Sequence, residues 1–131
     1  MTKILAVDYG KKKTGLAIAE GKLASPLLVI RYKSENELFN RIQRIVDEQK
    51  IEKVVVGISE GKMGKQSKDF SLSLGKKLDI PVETCDETLT TKDAQKLAIE
   101  AGIKRKKRKA LEDAYAATIM LQGYLDKLDQ A

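Results

Sequence analysis

Histidine is absent from this chain of 131 residues, and cysteine occurs once, as Cys85. The first absence excludes histidine general bases, Ser-His-Asp triads and histidine-containing zinc sites. A single thiol excludes an intrachain disulfide and a cysteine-rich metal site, and it fits a reducing compartment, so the cytoplasm is the expected location. Cys85 lies in an apolar strand pattern and reads as a small core residue. Aromatic residues make up 5% of the sequence, too few for a platform of stacked bases. No apolar run approaches the roughly 20 residues that cross a bilayer, and the Met-Thr-Lys-Ile start runs straight into a strand pattern. Neither a membrane partner nor a signal peptide is expected. Enzymatic chemistry, if present, must therefore come from carboxylates, lysines, hydroxyls and metal ions.

What the chain has in quantity is charge. Lys and Arg number 25 against 19 Asp and Glu, a formal net charge of +6, with 34% charged and 42% hydrophobic residues. This composition describes one folded domain spanning residues 1–131 rather than a disordered polymer. The positive balance favours an anionic partner, nucleic acid before membrane.

Hydrophobic periodicity predicts strands at 3–9, 14–20 and 26–33, a helix at 35–49, a strand at 52–58, a helix at 66–78, a strand at 81–86, and helices at 91–101 and 108–127. Ser34-x-x-Glu37 is a capping box that opens the first helix, and Thr90-x-x-Asp93 resembles another. Lys53-Val54-Val55-Val56-Gly57-Ile58 is rich in β-branched residues, as suits a parallel strand covered on both faces. Three strands joined by short turns, followed by alternating helices and strands, imply an α/β fold. Its sheet is mixed and five-stranded, antiparallel in the first three strands and parallel in the remainder, with helices on both faces.

Three acidic positions stand out against this framework. Asp8 ends the apolar run Ile4-Leu5-Ala6-Val7, where an ionised carboxylate is costly unless a cation meets it, whether an adjacent lysine or a metal. Asp86-Glu87 ends the fifth strand. Asp113 shares a helix face with Ala116 and Ala117, small residues that let the helix approach a sheet closely. Ligands of mostly parallel sheets gather beyond the carboxyl ends of the strands, where all three positions converge. Carboxylates without histidine suit Mg²⁺ or Mn²⁺. Successive strand residues face opposite sides, so Asp86 and Glu87 are alternatives at one metal; Glu87 has the longer reach, and Asp86 suits capping. Glu60, just past the fourth strand, is a further candidate.

The run Lys104-Arg105-Lys106-Lys107-Arg108-Lys109 places six cations at a predicted helix N-terminus, where they oppose the macrodipole. A bound phosphate relieves that repulsion. Lys104, Arg105, Lys107, Arg108 and Lys109 are therefore the expected nucleic-acid track, extended by Lys11, Lys12 and Lys13 beside Asp8, with the backbone at Gly10 close enough to meet a phosphate. The plain alternative is a solvated charged segment.

These motifs together resemble the YqgF family of RNase H-like proteins, described as pre-16S rRNA nucleases and as Holliday junction resolvases. The resemblance is carried by Asp8-Tyr9-Gly10 with Gly15, Pro26-Leu27, Val55-Val56-Gly57 and Asp86-Glu87-Thr88-Leu89-Thr90. It continues through Lys107-Arg108-Lys109, Asp113-x-x-Ala116-Ala117 and Leu121-Gln122-x-Tyr124-Leu125. It implies an RNase H-like fold and a divalent metal held by Asp8, Glu87 (or Asp86) and Asp113. It also implies hydrolysis of phosphodiesters in structured nucleic acid, either RNA in a ribosome precursor, at the 5′ end of pre-16S rRNA, or branched DNA in recombination and repair. Thr88 departs from the family's usual arginine and Ser59 from its common proline. Two rivals from other classes are an actin-like ATPase, for which the chain lacks a second enclosing domain, and a non-catalytic nucleic-acid-binding protein of the same fold. No Walker A pattern follows Gly10.

Overall fold

The apolar runs form the strands expected of them. In the computed structural model, which describes residues 2–58, 62–86 and 112–130, the element order begins β1 (Lys3–Asp8), β2 (Lys13–Glu20), β3 (Leu23–Arg31), α1 (Glu35–Gln49) and β4 (Lys53–Ile58). It continues with α2 (Lys62–Lys77), β5 (Val82–Asp86) and α3 (Glu112–Gln130). The sheet has five strands in the order β3-β2-β1-β4-β5. β1 pairs antiparallel with β2 and β2 with β3, whereas β1 with β4 and β4 with β5 run parallel. This is the mixed sheet expected from the pattern.

Period-two alternation sorts the side chains between two cores. Leu5, Val7, Leu16, Ile30, Val54 and Val56 pack with Leu38, Phe39, Ile42 and Val46 of α1 and with Phe70 and Leu74 of α2. The opposite face of the same strands, Ile4, Ala6, Ala17, Ala19 and Val55, packs with Ala117, Met120, Leu121 and Leu125 of α3. The α3 side is lined largely with alanine, so this helix lies close to the sheet.

α1 begins where its cap predicts. Ser34 Oγ accepts a hydrogen bond from the Glu37 amide at 3.3 Å, but the Glu37 carboxylate accepts from the Lys33 amide at 3.1 Å, one residue before the position a capping box prescribes. The helix ends on Lys50, which holds the left-handed region at φ 57°.

Three elements differ from expectation by more than one residue at a boundary. β3 starts at Leu23 rather than residue 26, because Gly21 (φ 82°) and Lys22 form a two-residue hairpin between the paired residues Glu20 and Leu23, and it ends at Arg31, the partner of Lys13, rather than at 33. Pro26 is therefore internal to β3. An edge strand tolerates it, and the pairing passes there from Leu16–Leu28 to Ala17–Pro26, a β-bulge at Leu27. α2 starts at Lys62, four residues before the predicted Gln66, and thus contains Gly64. The buried stripe Ser67, Phe70, Ser71 and Leu74 outweighs the cost of about 1 kcal/mol for one helical glycine. α3 runs past the predicted end at 127 to Gln130. The helix expected at 91–101, the cap at Thr90 and the start of the last helix at 108–111 lie outside the described residues.

Candidate active site

Asp8 is the last residue of β1 and is half-buried. By strand parity it shares a face with Ile4 and Ala6, the face covered by α3. Its register partner across the antiparallel pair is Gly15. On that same face, a β-carbon built on Gly15 would collide with the backbone carbonyl of Asp113 and lie 2.8 Å from the amide nitrogen of Ala114. Glycine at this position admits the first turn of α3 to the sheet. Asp8 and Asp113, from opposite ends of the sequence, thus flank one glycine at the end of the sheet where the parallel strands finish.

Asp113 sits in the first helical turn together with Glu112, where the macrodipole favours negative charge. Its Oδ2 receives the Lys13 ammonium at 3.0 Å, an ion pair half open to solvent. A lysine of the β1–β2 turn thus meets Asp113. Ala117, expected on the same face as Asp113, is fully buried, whereas Ala116 is only half-buried.

Asp86 ends β5, level with Ile58 of β4. Earlier in β5, Glu83 and Cys85 face α3: the Tyr124 hydroxyl donates to Glu83 at 2.6 Å, and Cys85 packs against the α3 core. Cys85 is half-buried rather than fully enclosed. Glu60, Glu87, Thr88 and the run from Lys104 to Lys109 lie outside the described residues. Among the described residues, no three acidic or thiol side chains converge as a metal cluster.

The turn from β1 to β2 carries Lys11, Lys12 and Lys13, all exposed. Its shape is set from within the protein. The Tyr32 hydroxyl donates to the Gly10 carbonyl, the Tyr32 amide donates to the Lys12 carbonyl at 3.2 Å, and the Gly10 amide reaches Thr14 Oγ1 at 3.5 Å. A β-carbon on Gly10 would lie 2.5 Å from the Lys13 carbonyl oxygen, so this glycine keeps the turn tight. Tyr9, next to Asp8, points to the opposite face, stacks on Phe70 with ring centroids 4.3 Å apart and donates to Glu35 at 3.1 Å. Burial first, then Tyr32 and Glu35, push the Tyr9 phenol well above its ordinary range. Burial also raises the Tyr32 phenol. Sequence reasoning missed Tyr32 as the clamp of this turn, because its partners lie about twenty positions away and leave no local signal.

A second cluster of shifted groups joins Lys53, Glu83 and Tyr124. Burial opposes the charge on Lys53, but Tyr124 and Glu83 outweigh it and raise its pKa; hydrogen bonds from Tyr124 and Lys53 lower that of Glu83. Lys53 is the first residue of β4, so this cluster lies at the other end of the sheet from Asp8. It fastens α3 to β4 and β5. Gln122 performs a similar task at the hairpin: its side-chain amide donates to the Lys22 carbonyl at 2.9 Å and accepts from the Ala24 amide at 3.0 Å.

A family described as RuvX: Holliday junction resolvase matches residues 2–127. Among curated proteins, a relative from Halothermothrix orenii named "Putative pre-16S rRNA nuclease" is 38% identical, with 95% of this chain and 94% of that protein covered. One of the same name from Lactococcus lactis is also 38% identical, over 95% and 94%. Among solved structures, T. thermophilus RuvC in complex with a Holliday junction substrate superposes with a TM-score of 0.66 at 16% identity, covering 97% of this chain and 96% of the other. The Fowlpox virus resolvase bound to Holliday junction DNA gives 0.68 at 15% identity, covering 97% and 99%. Those two likenesses carry the RNase H-like fold, and the family match with its curated relatives carries the membership. The chain belongs to the RuvX family.

Proposed function

We propose that this protein is a metal-dependent nuclease that hydrolyses phosphodiester bonds in structured nucleic acid, with the pre-16S rRNA of the ribosome precursor as its substrate. The observation that carries this reading is the meeting of Asp8 and Asp113 around Gly15 at the carboxyl end of the parallel strands. The donor set fits a hard divalent cation, Mg²⁺ or Mn²⁺: two carboxylates on one face, with no histidine in the chain. Asp8, Asp113 and a third acid from the end of β5 would hold it. When bound, the cation supplies an activated water and stabilises the leaving oxygen.

The alternation of β5 supports Glu87 as the third acid over Asp86, since Glu83 and Cys85 already share the face of α3. Lys11 and Lys12 stand exposed beside the acids, positioned to meet phosphate. With Lys104, Arg105, Lys107, Arg108 and Lys109 they make a phosphate-reading track. Binding through phosphates and shape rather than bases follows from the scarcity of aromatic residues. Among the described residues, no helix is long and apolar enough to cross a membrane.

Relatives at 38% identity support precursor rRNA as the substrate. The family's description as a resolvase supports a second reading, branched DNA. A direct comparison of a pre-16S rRNA fragment and a four-way DNA junction, each with wild-type protein and Asp8→Asn, tests both readings. We expect Mg²⁺-dependent cleavage of the RNA that Asp8→Asn and Asp113→Asn abolish, with Glu87→Gln more damaging than Asp86→Asn. Cleavage of the junction alone transfers the assignment to DNA. Folded protein that cuts neither leaves the non-catalytic reading.

A further inference from the structure

Lys13 is the residue whose position the proposed site does not yet use. It is the first residue of β2, its side chain is about half exposed, and its ammonium lies 3.0 Å from Asp113 Oδ2. On β2 it precedes Gly15 by two residues and so shares the face of α3. One end of this side chain thus reaches a carboxylate that the proposed metal also needs, while the backbone carrying it belongs to the lysine-rich turn that faces solvent. A divalent cation and an ammonium cannot both take the same carboxylate oxygen at contact distance without strong repulsion.

Resting on the metal-site reading above, we propose that Lys13 is a positioning residue that holds the Asp113 carboxylate in the metal-free protein and transfers to a nucleic-acid phosphate when that carboxylate is engaged by the cation. The turn favours such an exchange. Its backbone is fixed at Gly10 and Lys12 by Tyr32, so movement is confined to the flexible lysine stem. The pair is solvent-exposed and so weak enough to be exchanged. Metal and nucleic acid then favour each other's binding, because each consumes one half of a pair that otherwise closes on itself.

Two measurements independent of turnover test this. In calorimetric titration with Mg²⁺ alone, Lys13→Met should bind the cation about two- to fivefold more tightly than wild type, the range an exposed ion pair supports. Lys11→Met, which removes the same charge from the same turn, should change it less, and Lys13→Arg should stay near wild type. Unchanged or weaker binding by Lys13→Met, in a protein where Asp113→Asn still loses Mg²⁺ affinity, overturns the role of Lys13 and leaves the metal site standing. No effect from Asp113→Asn removes the metal site itself, and this inference with it.

The second measurement is a double-mutant cycle in EDTA with an RNA duplex as probe. Lys13→Met should cost about two- to fivefold more RNA affinity in the Asp113→Asn background, where the ammonium is released, than in wild type, where it is held. Equal costs in the two backgrounds would show that Asp113 does not restrain Lys13.

Discussion

Gly15 of β2 and Asp113 of α3 are in backbone contact: the space a β-carbon would take on Gly15 is already filled by the Asp113 carbonyl. This contact fixes how closely the helix carrying one acid approaches the strand beside the other. The obstacle is backbone on both sides, so it cannot be relieved by a side-chain rotation. Gly15→Ala should therefore destabilise the fold by about 1–3 kcal/mol, the usual range for overpacking. It should also weaken Mg²⁺ binding by displacing Asp113. Urea unfolding and calorimetry check the two effects. Gly123 is the opposite case: a β-carbon there would meet nothing within 4 Å, and alanine should be tolerated or slightly stabilising.

Gln122 ties the middle of α3 to the β2–β3 hairpin through one donated and one accepted hydrogen bond with backbone groups. Gln122→Ala leaves the half-buried Ala24 amide without its acceptor. A loss of about 1–2 kcal/mol is expected, towards the lower end because Lys22 is open to water. Hydrogen exchange should show the hairpin amides opening first, while Mg²⁺ affinity at the far end of the sheet stays unchanged.

Alkaline pH should act through Tyr9. Its folded-state pKa is raised, chiefly by burial, so the protonated phenol favours the native state. That contribution is complete below the unfolded value of about 10 and is lost as pH rises through the folded value. Stability should fall with increasing slope above pH 10. Tyr9→Phe removes this part of the slope and leaves the part due to Tyr32 and Lys53, whose pKa values are also raised. Denaturant titrations of both proteins between pH 8 and 11 measure the difference.

The basic run gives a salt-dependence prediction. Replacing Lys104, Arg105, Lys107 and Arg108 with alanine should weaken nucleic-acid binding and flatten its dependence on salt, by about 0.9 in the log–log slope per lost contact on duplex DNA. Affinity and slope equal to wild type would make the run a solvated segment.

Asp113→Asn should alter stability by no more than about 1 kcal/mol, because the ion pair it breaks is exposed. Its thermal midpoint should stay near that of wild type while cleavage is lost. An early-melting variant that still cuts would show the acid to be structural.

The order of strands and helices was legible in the sequence because each element buries apolar residues at its own period. The β-branched run at residues 54–56 and the Ser34 cap needed no tertiary partner to be recognised. Asp8 and Asp113 stood out because a carboxylate among apolar or alanine neighbours is costly without a cation. The start of β3 at Leu23 was not legible, since a proline's missing donor matters only in an inner strand and the sheet places Pro26 on an edge beside a bulge. The early start of α2 was not legible either, because the packing of Phe70 and Leu74 outweighs the low helix propensity of Gly64. Propensity and period are local quantities, and they determined which segments form which elements. The contact of Gly15 with Asp113, the capture of Asp113 by Lys13 and the hold of Tyr32 on the Gly10 turn join residues far apart in sequence. Only the closing of α3 and α1 onto opposite faces of one sheet decided them, because that packing sets which distant backbone and charged groups must share the same space.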